Sequence, residues 1–289
     1  MRMMKKIMFF VAAAFALVAV GCSKDDVANE GVEYVSELKL NFGKGDSRVA
    51  VTHNPASGLK FAWEDGDVVY VYEDGNTDAT RKKFVYDTES ASFKPDSDSD
   101  RLEVGKNYFA GFKAQSIKMY ITDGRTEVSF WLDYYDGIKG IPMITDVFTA
   151  TEENTMATMH HLVGVVEIPV KAASEGAKLV QLFISSRNNV MSGNFYASPE
   201  APYFIRSSRG YSDIGNQDTS DTPIDLSTTE ATSIFIPVFP GTYEAESIYF
   251  SGKLVGEKKY VDIETKRSLT VERGKITKVS ELVLDYIAE

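Results

Sequence analysis

The sequence has few of the residues that usually carry covalent or metal chemistry. It contains one cysteine, Cys22, and three histidines, His53, His160 and His161. A single cysteine excludes a disulfide within the chain, and a tetrahedral metal site needs several ligands close together. His160 and His161 are adjacent, and neighbouring side chains on a strand point to opposite faces. We therefore expect one of them to be packed and the other solvated, rather than both to bind one metal.

The common catalytic and nucleotide-binding motifs are also missing. No G-x-S-x-G, H-E-x-x-H, P-loop or G-x-G-x-x-G pattern occurs in the chain. Asp96, Asp98 and Asp100 have the alternating spacing of a calcium loop, but Arg101 stands where an EF-hand needs glycine and Asn107 where it needs glutamate. We interpret this segment as a solvated acidic loop. The sequence predicts a protein that is not an enzyme and uses no metal or cofactor.

Long helical patterns and tandem repeats are absent beyond the first 21 residues, and period-two patterns dominate instead. Residues 38–42 (LKLNF) and 162–170 alternate between apolar and other side chains. Short runs rich in β-branched and aromatic residues, such as VVYVY at 68–72, are separated by turn signals such as EDGD at 64–67. These patterns predict an all-β protein, with sandwiches favoured over a single barrel at this length.

Two polar segments suggest how the chain is divided. Residues 149–159 are polar and show no strand pattern, and a strong strand pattern starts at His160. We therefore predict an N-terminal β-sandwich over residues 33–155 and a C-terminal β-sandwich over residues 156–289. Residues 206–232 are rich in Ser, Thr, Asp and Gly, and we interpret them as a long surface excursion of the second domain.

The N-terminus has the features of a secretion signal. Arg2, Lys5 and Lys6 precede 15 uncharged residues, 7–21, which are too few for a membrane span but suit the apolar region of a signal peptide. Ala19, Val20 and Gly21 lead into Cys22 and resemble a bacterial lipobox. This pattern predicts a signal peptide over 1–21, lipidation of Cys22 and a polar linker over 22–32. The alternatives are an uncleaved anchor helix or an ordinary signal with an incidental cysteine.

Charge and lipidation together limit the partners of the mature chain. Without the leader, 28 Lys and Arg remain against 42 Asp and Glu, a net charge of −14. Such a surface repels nucleic acid and anionic lipid. Two or three acyl chains hold a protein stably on a bilayer, and an acidic stretch after the cysteine resembles the surface-export signal of Bacteroidetes lipoproteins. We expect an outer-membrane lipoprotein whose body faces outward at the cell surface.

An aromatic stretch, residues 130–137 (FWLDYYDG), is the best candidate for a ligand surface. Exposed rings stack on sugar faces and anchor protein partners. Trp131, Tyr134 and Tyr135 are the candidate stacking residues, with a host glycan or protein as the ligand. The alternative is an ordinary strand whose aromatic residues fill a sandwich core.

Several elements together resemble the fimbrillin-like family, which comprises type V pilins of Bacteroidales and their accessory subunits. Residues 59–72 (LKFAWEDGDVVYVY) are similar to the family's F-x-W-x-x-G-D element. Later elements also follow the family's order. They are IPM at 141–143, the histidines 160 and 161 followed by LVGVV at 162–166, NVMSG at 189–193, PVFP at 237–240 and GKIT at 274–277. The resemblance spans most of the mature chain and implies two transthyretin-like, Greek-key β-sandwich domains.

The resemblance also implies a mode of assembly with other fimbrial subunits. An arginine-specific protease would cut after the first strand, residues 34–42, and another subunit's strand would fill the vacated groove. Arg48 and Val49 flank the predicted cleavage site, although Arg48 is equally well explained as a solvated loop arginine. The C-terminal residues 276–287 are a candidate donor strand, with Val279, Leu282, Leu284 and Tyr286. An ordinary last strand would look the same.

Three functions remain from the sequence. The first is a structural subunit of a cell-surface fimbria. The second is a monomeric surface lipoprotein that acts as an adhesin for a glycan or a host protein. The third is a hydrolase without a recognisable motif, which would need a cleft with paired carboxylates.

Overall fold

The computed structural model describes residues 31–42, 52–54, 58–60, 62–132, 140–153, 155–200, 205–216, 219–257 and 261–285. Cys22, Arg48, Val49, Tyr134, Tyr135 and Tyr286 lie outside these ranges. Residues 33–289 form one compact unit. Within the described ranges no helix is long and apolar enough to cross a membrane.

The described part of the chain is built from strands, as the period-two patterns predict. The strands of the first half are β1 (Tyr34–Val35), β2 (Lys39–Phe42), β3 (Thr52–Asn54), β4 (Gly58–Lys60), β5 (Val68–Glu73), β6 (Lys82–Asp87), β7 (Ser92–Pro95), β8 (Leu102–Glu103), β9 (Asn107–Phe112), β10 (Tyr120–Thr122), β11 (Arg125–Leu132), β12 (Met143–Thr145) and β13 (Phe148–Thr149). One 3₁₀ turn, Asp98–Asp100, interrupts them.

The second half continues with strands only in its described residues. They are β14 (Met156–His161), β15 (Gly164–Ala172), β16 (Lys178–Ser186), β17 (Ser192–Ala197), β18 (Ile205–Tyr211), β19 (Asp213–Gly215), β20 (Ile224–Asp225), β21 (Thr232–Val238), β22 (Gly241–Tyr243), β23 (Ile248–Leu254), β24 (Val261–Glu264), β25 (Leu269–Val271), β26 (Ile276–Lys278) and β27 (Leu282–Leu284). The all-β fold class is confirmed.

The N-terminal sheet has eight strands. Its order is β2-β14-β12-β9-β5-β6-β7, and β13 pairs with β9 beside this path. Alternating side chains of these strands fill a continuous apolar core that includes Val69, Val71, Phe84 and Phe109, all fully buried. Apart from the parallel pair of β2 and β14, its neighbouring strands are antiparallel.

The C-terminal half contributes two main sheets. One has the order β21-β15-β26 with β27 also paired to β15, and the other has the order β19-β16-β23-β24 with β20 paired to β16. The two sheets pack on each other where Leu284 of β27 meets Gly252 of β23, since a Cβ built on Gly252 would lie only 2.7 Å from Leu284 Cδ1. Stacked sheets of this kind are the sandwich arrangement that the strand pattern predicts.

Some pairings cross residue 155, where we predict the domain boundary. β14 belongs to the N-terminal sheet, and β11 pairs with β17 in a four-stranded sheet of order β10-β11-β17-β18. The division into residues 33–155 and 156–289 stays a prediction. Strand β14, which begins just after the predicted boundary, pairs with strands of the first half.

Three local predictions are corrected by the structure. Residues 156–159 are the start of strand β14, with Ala157 and Met159 buried, and residues 205–215 of the predicted excursion form β18 and β19. These stretches contain few β-branched and aromatic residues, so their strands depend on pairing with their neighbours. The first strand is also divided, because residues 36–38 separate β1 from β2 and the two lie in different sheets.

Candidate functional site

Residues 38–42 contact strands at both ends of the N-terminal sheet. β2 pairs in parallel with β14, in the register Lys39 to Met156 and Phe42 to Met159. Just before β2, Leu38 exchanges two backbone hydrogen bonds with Phe93 of β7, at 2.9 and 2.8 Å. Because β14 and β7 lie near opposite ends of the sheet order, residues 38–42 bridge the two ends.

The same segment also fills part of the core. Val35, Leu38 and Leu40 are 3%, 0% and 7% exposed. β1 adds a short antiparallel pair with β8, and the amide of Val104 donates a 2.9 Å hydrogen bond to the carbonyl of Glu33. Residues 33–42, which we call the first-strand segment, thus complete a sheet and a core made by other parts of the chain.

Trp63 holds the end of the first-strand segment. Its ring stacks on Phe42 with centroids 5.1 Å apart, and its Nε1 donates a 3.3 Å hydrogen bond to the carbonyl of Leu40. The acidic turn after it has the predicted geometry, with Gly66 at φ +85° and the amide of Asp67 bonded to the carbonyl of Glu64. Trp63 itself lies after β4 rather than at the end of a strand.

An acidic pair lies where the first-strand segment enters the fold. A hydrogen bond from Glu152, and then repulsion by its charge, raise the pKa of the Glu33 carboxyl above its ordinary value. Both side chains are solvent-exposed. We therefore expect the pairing of β1 with β8 to depend on pH.

Residues 276–285, which we call the C-terminal segment, add parallel strands to a sheet of the second half, as β2 does to the N-terminal sheet. β26 and β27 both pair in parallel with β15, and Leu282 and Leu284 are buried while Val283 is 52% exposed. The amide of Val279 bonds to the carbonyl of Glu167, and that of Ala173 to the carbonyl of Leu284. These backbone bonds link the segment to β15 and to Ala173, the residue that follows it.

An open cleft of about 520 Å³ runs beside the C-terminal segment. Its apolar lining consists of Ile248, Phe250, Ile263, Leu269, Val279 and Leu282. Residues 277–282 of the segment therefore border this open space, and Thr277 Oγ1 also donates a 3.0 Å hydrogen bond to the carbonyl of Thr270 on β25.

The aromatic candidates are only partly described. Trp131 is half-buried on the outer side of β11, and its ring lies 6.3 Å from that of Tyr211 on β18. On the same side of this sheet, Tyr120 meets Tyr196 edge-to-face at 5.8 Å. Tyr120 is 49% exposed and Tyr211 is 38% exposed. The structure thus brings Tyr211 of β18 to Trp131, and it places a second pair, Tyr120 and Tyr196, on the same side of the sheet.

The polar candidates have structural partners. His161 is buried, whereas His160 is half-buried with Nε2 3.2 Å from Asp146 Oδ2, which confirms that the two point to opposite faces. In the acidic loop, Asp96 pairs with Lys83 at 3.1 Å and Asp100 Oδ1 accepts a hydrogen bond from the Lys83 amide. In the described part of the chain no group of three His, Cys, Asp or Glu residues is arranged to hold a metal ion.

The sequence contains one octapeptide in two similar copies, which are not a tandem repeat because they lie far apart in the chain. Residues 35–42 read VSELKLNF and residues 279–286 read VSELVLDY. Five of the eight positions are identical, and two of the others exchange Asn for Asp and Phe for Tyr. Among the described residues of the two copies, Val35, Leu38 and Leu40 of the first and Leu282 and Leu284 of the second are buried.

Comparison with known proteins identifies the fold. No family model and no curated protein sequence matches the chain. Among solved structures, a "putative cell adhesion protein" from Bacteroides ovatus is similar with a TM-score of 0.57 at 12% identity, covering 88% of this chain and 93% of that one. A fimbrial protein from Bacteroides vulgatus has a TM-score of 0.45 at 9% identity, covering 88% and 95%. The first similarity shows a shared fold, in agreement with the fold that the fimbrillin-like resemblance implies.

Proposed function

We propose that the chain is a structural, non-enzymatic subunit of a cell-surface fimbria of the fimbrillin-like kind. It is exported as a lipoprotein through Cys22 and is assembled by removal of the first strand and strand exchange. The observation that carries the proposal is the position of residues 38–42, which bridge β14 and β7 and bury Leu38 completely. The names of the similar Bacteroides structures, cell adhesion and fimbrial proteins, are consistent with this role.

Cleavage after Arg48 would turn the first-strand segment into a separate peptide. Once it leaves, β14 and β7 each expose backbone groups toward a groove, and the core loses the side chains of Val35, Leu38 and Leu40. An extended strand from another subunit can restore both the backbone hydrogen bonds and the apolar contacts. The vacated groove is therefore the assembly site in this proposal.

Limited proteolysis tests the proposal. The chain from residue 23 onward, which contains the whole compact unit 33–289, is treated with an arginine-specific protease. We expect one early cut before Val49, followed by rods in electron micrographs and an SDS-resistant ladder. The Arg48→Ala variant should stay uncut at this position and monomeric, and Arg273→Ala is the matched control. A cut chain that stays monomeric would rule out the polymerising subunit.

A surface adhesin is the second candidate function, and the outer face of the β10-β11-β17-β18 sheet favours it. Rings of Tyr120, Tyr196, Trp131 and Tyr211 lie in two contacting pairs on this face. Aromatic rings with exposed area suit the stacking of sugars. If an array of neutral oligosaccharides captures the uncut monomer, and Tyr120→Ala with Tyr211→Ala abolishes capture while Tyr34→Ala does not, this function gains support.

A further inference from the structure

We infer that the open cleft of about 520 Å³ binds a small amphipathic carboxylate of the fatty-acid class. The alkyl chain of the ligand would lie on the apolar floor of the cleft, and its carboxylate would lie at Lys266 and Arg267. This inference goes beyond the proposed function, because it requires neither cleavage of the chain nor assembly with other subunits.

The cleft lies between the two main sheets of the C-terminal half. β23 and β24 contribute Phe250 and Ile263 from one sheet, and the C-terminal segment contributes Val279 and Leu282 from the other. Residues 265–268, which connect β24 to β25, also line it. Its volume is within the range of about 300–1,000 Å³ that is typical of small-molecule sites.

The apolar floor is almost entirely aliphatic. Among the described lining residues the only aromatic one is Phe250, which is 3% exposed, and the other apolar ones are Ile, Leu or Val. A ring buried to this degree offers no face for the stacking of a sugar. Ile263 and Val279 are half-buried and supply apolar surface that a ligand can reach. Such a floor suits an alkyl chain, since each CH₂ group removed from water favours binding.

The charges that line the cleft are only partly compensated. Three of them are paired with groups that do not line it, namely Glu264 with Arg187 at 3.4 Å, Lys278 with Glu167 at 2.8 Å and Glu281 with Lys171 at 3.1 Å. Lys266 and Arg267 are exposed, and neither makes an ion pair within the described part of the chain. Two unpaired cations thus lie beside an apolar floor, in a chain whose net charge is strongly negative.

A carboxylate is the head group that matches these two cations. A guanidinium can bind it through two parallel N–H···O bonds, and an ammonium adds a further charged donor. The hydroxyls of Ser268 and Ser280 also line the cleft, and neither has a hydrogen-bond partner among the described residues. Because the floor is apolar and the cations are exposed, the matching ligand is amphipathic.

Calorimetric titration of the uncut chain from residue 23 onward tests the inference. The probes are hexanoate, octanoate and decanoate, each below its micelle-forming concentration. We expect decanoate to bind, and the affinity to rise at least about fourfold with each two CH₂ groups added. Decanol, which has a chain of the same length and no charge, should bind at least about tenfold more weakly. Equal affinity for decanoate and decanol, or no binding of decanoate, would overturn the inference.

Charge variants test the position of the carboxylate. Lys266→Ala combined with Arg267→Ala should lower the affinity for decanoate at least about tenfold, and the folded core is kept because both side chains are exposed. Lys118→Ala combined with Arg125→Ala is the matched control, since it removes the same charge from exposed positions near β10. An equal loss in both double variants would mean general attraction of the anion and would overturn the inference.

Hydrogen exchange tests the position of the alkyl chain. Bound decanoate should slow exchange at residues 265–270 and 277–282 and leave residues 126–132 unchanged. Slowing at other residues only would place the ligand elsewhere. The chain's own residues 286–289 are the alternative occupant of the cleft. If the chain that ends at residue 285 binds decanoate and the full chain does not, these residues fill the cleft and the inference fails, whereas the proposed function is unaffected.

Discussion

The first-strand segment and the C-terminal segment carry nearly the same eight residues but have different surroundings. The first lies between β14 and β7 and is further held by Trp63, whereas the second pairs with β15 alone and borders a cleft of about 520 Å³. Two similar local sequences therefore have different numbers of paired strands around them. We therefore expect the number of neighbouring strands, rather than the octapeptide itself, to decide how firmly each copy is held.

The largest expected effect comes from truncating the equivalent leucines. Leu38→Ala removes a fully buried side chain between two strands, and we expect it to lower the free energy of unfolding by about 2–5 kcal/mol. Leu282→Ala should cost less, because Leu282 lines the open cleft, so that the space left by truncation joins the cleft instead of forming a closed cavity. Urea denaturation of both variants measures the difference. Equal losses would show that the two seats are equivalent.

A smaller effect is expected from crowding the C-terminal strand alone. A Cβ at Gly252 would lie 2.7 and 2.9 Å from the two terminal carbons of Leu284. Gly252→Val should therefore displace β27 at a cost of about 1–3 kcal/mol, typical of an overpacked core. Hydrogen exchange should rise at residues 282–284 and not at residues 39–42.

Gly241→Val is the control for this variant, since no atom lies within 4 Å of a Cβ built on Gly241. If the donor strand must leave β15, the Gly252→Val chain should also polymerise faster after cleavage. An unchanged rate of polymerisation would mean that the pairing with β15 plays no part in the exchange.

The smallest effect concerns pH and the first-strand segment only. The pKa of Glu33 is raised above its ordinary value of 4.5 by the shared hydrogen bond with Glu152 and by mutual repulsion. A raised pKa in the folded state adds stability that is fully present below about pH 4.5 and is lost as the pH rises through the folded pKa. At pH 7 the two carboxylates therefore weaken the seat of β1.

Glu152→Gln removes this repulsion. We expect the variant to unfold at a slightly higher urea concentration than the parent chain at pH 7, and the advantage should disappear at pH 4. Glu153→Gln, at the neighbouring exposed position, is the matched control and should show no such pH-dependent difference. A gain that is the same at both pH values would contradict the role of the acidic pair.

Much of the fold was predictable because it follows from local patterns. Alternation in residues 38–42 and 282–284, the turn at 64–67 and the opposite faces of His160 and His161 all appear in the structure as the sequence predicts. β14 and β18 were missed, because they contain few β-branched and aromatic residues and so carry little strand signal without their paired neighbours. The repeated octapeptide was visible in the sequence, but period-two reasoning treats each copy separately and does not compare them.

By itself, the amino-acid sequence determined the strand class, the core-facing positions and the eight-residue likeness between the two ends, because these depend on side-chain type and on a spacing of two. Only the tertiary structure decided that residues 38–42 join β14 to β7, that β27 has one paired neighbour, and that Trp131 meets Tyr211. These are contacts between residues far apart in the chain, and they depend on how the sheets close around the core. No local pattern contains that information.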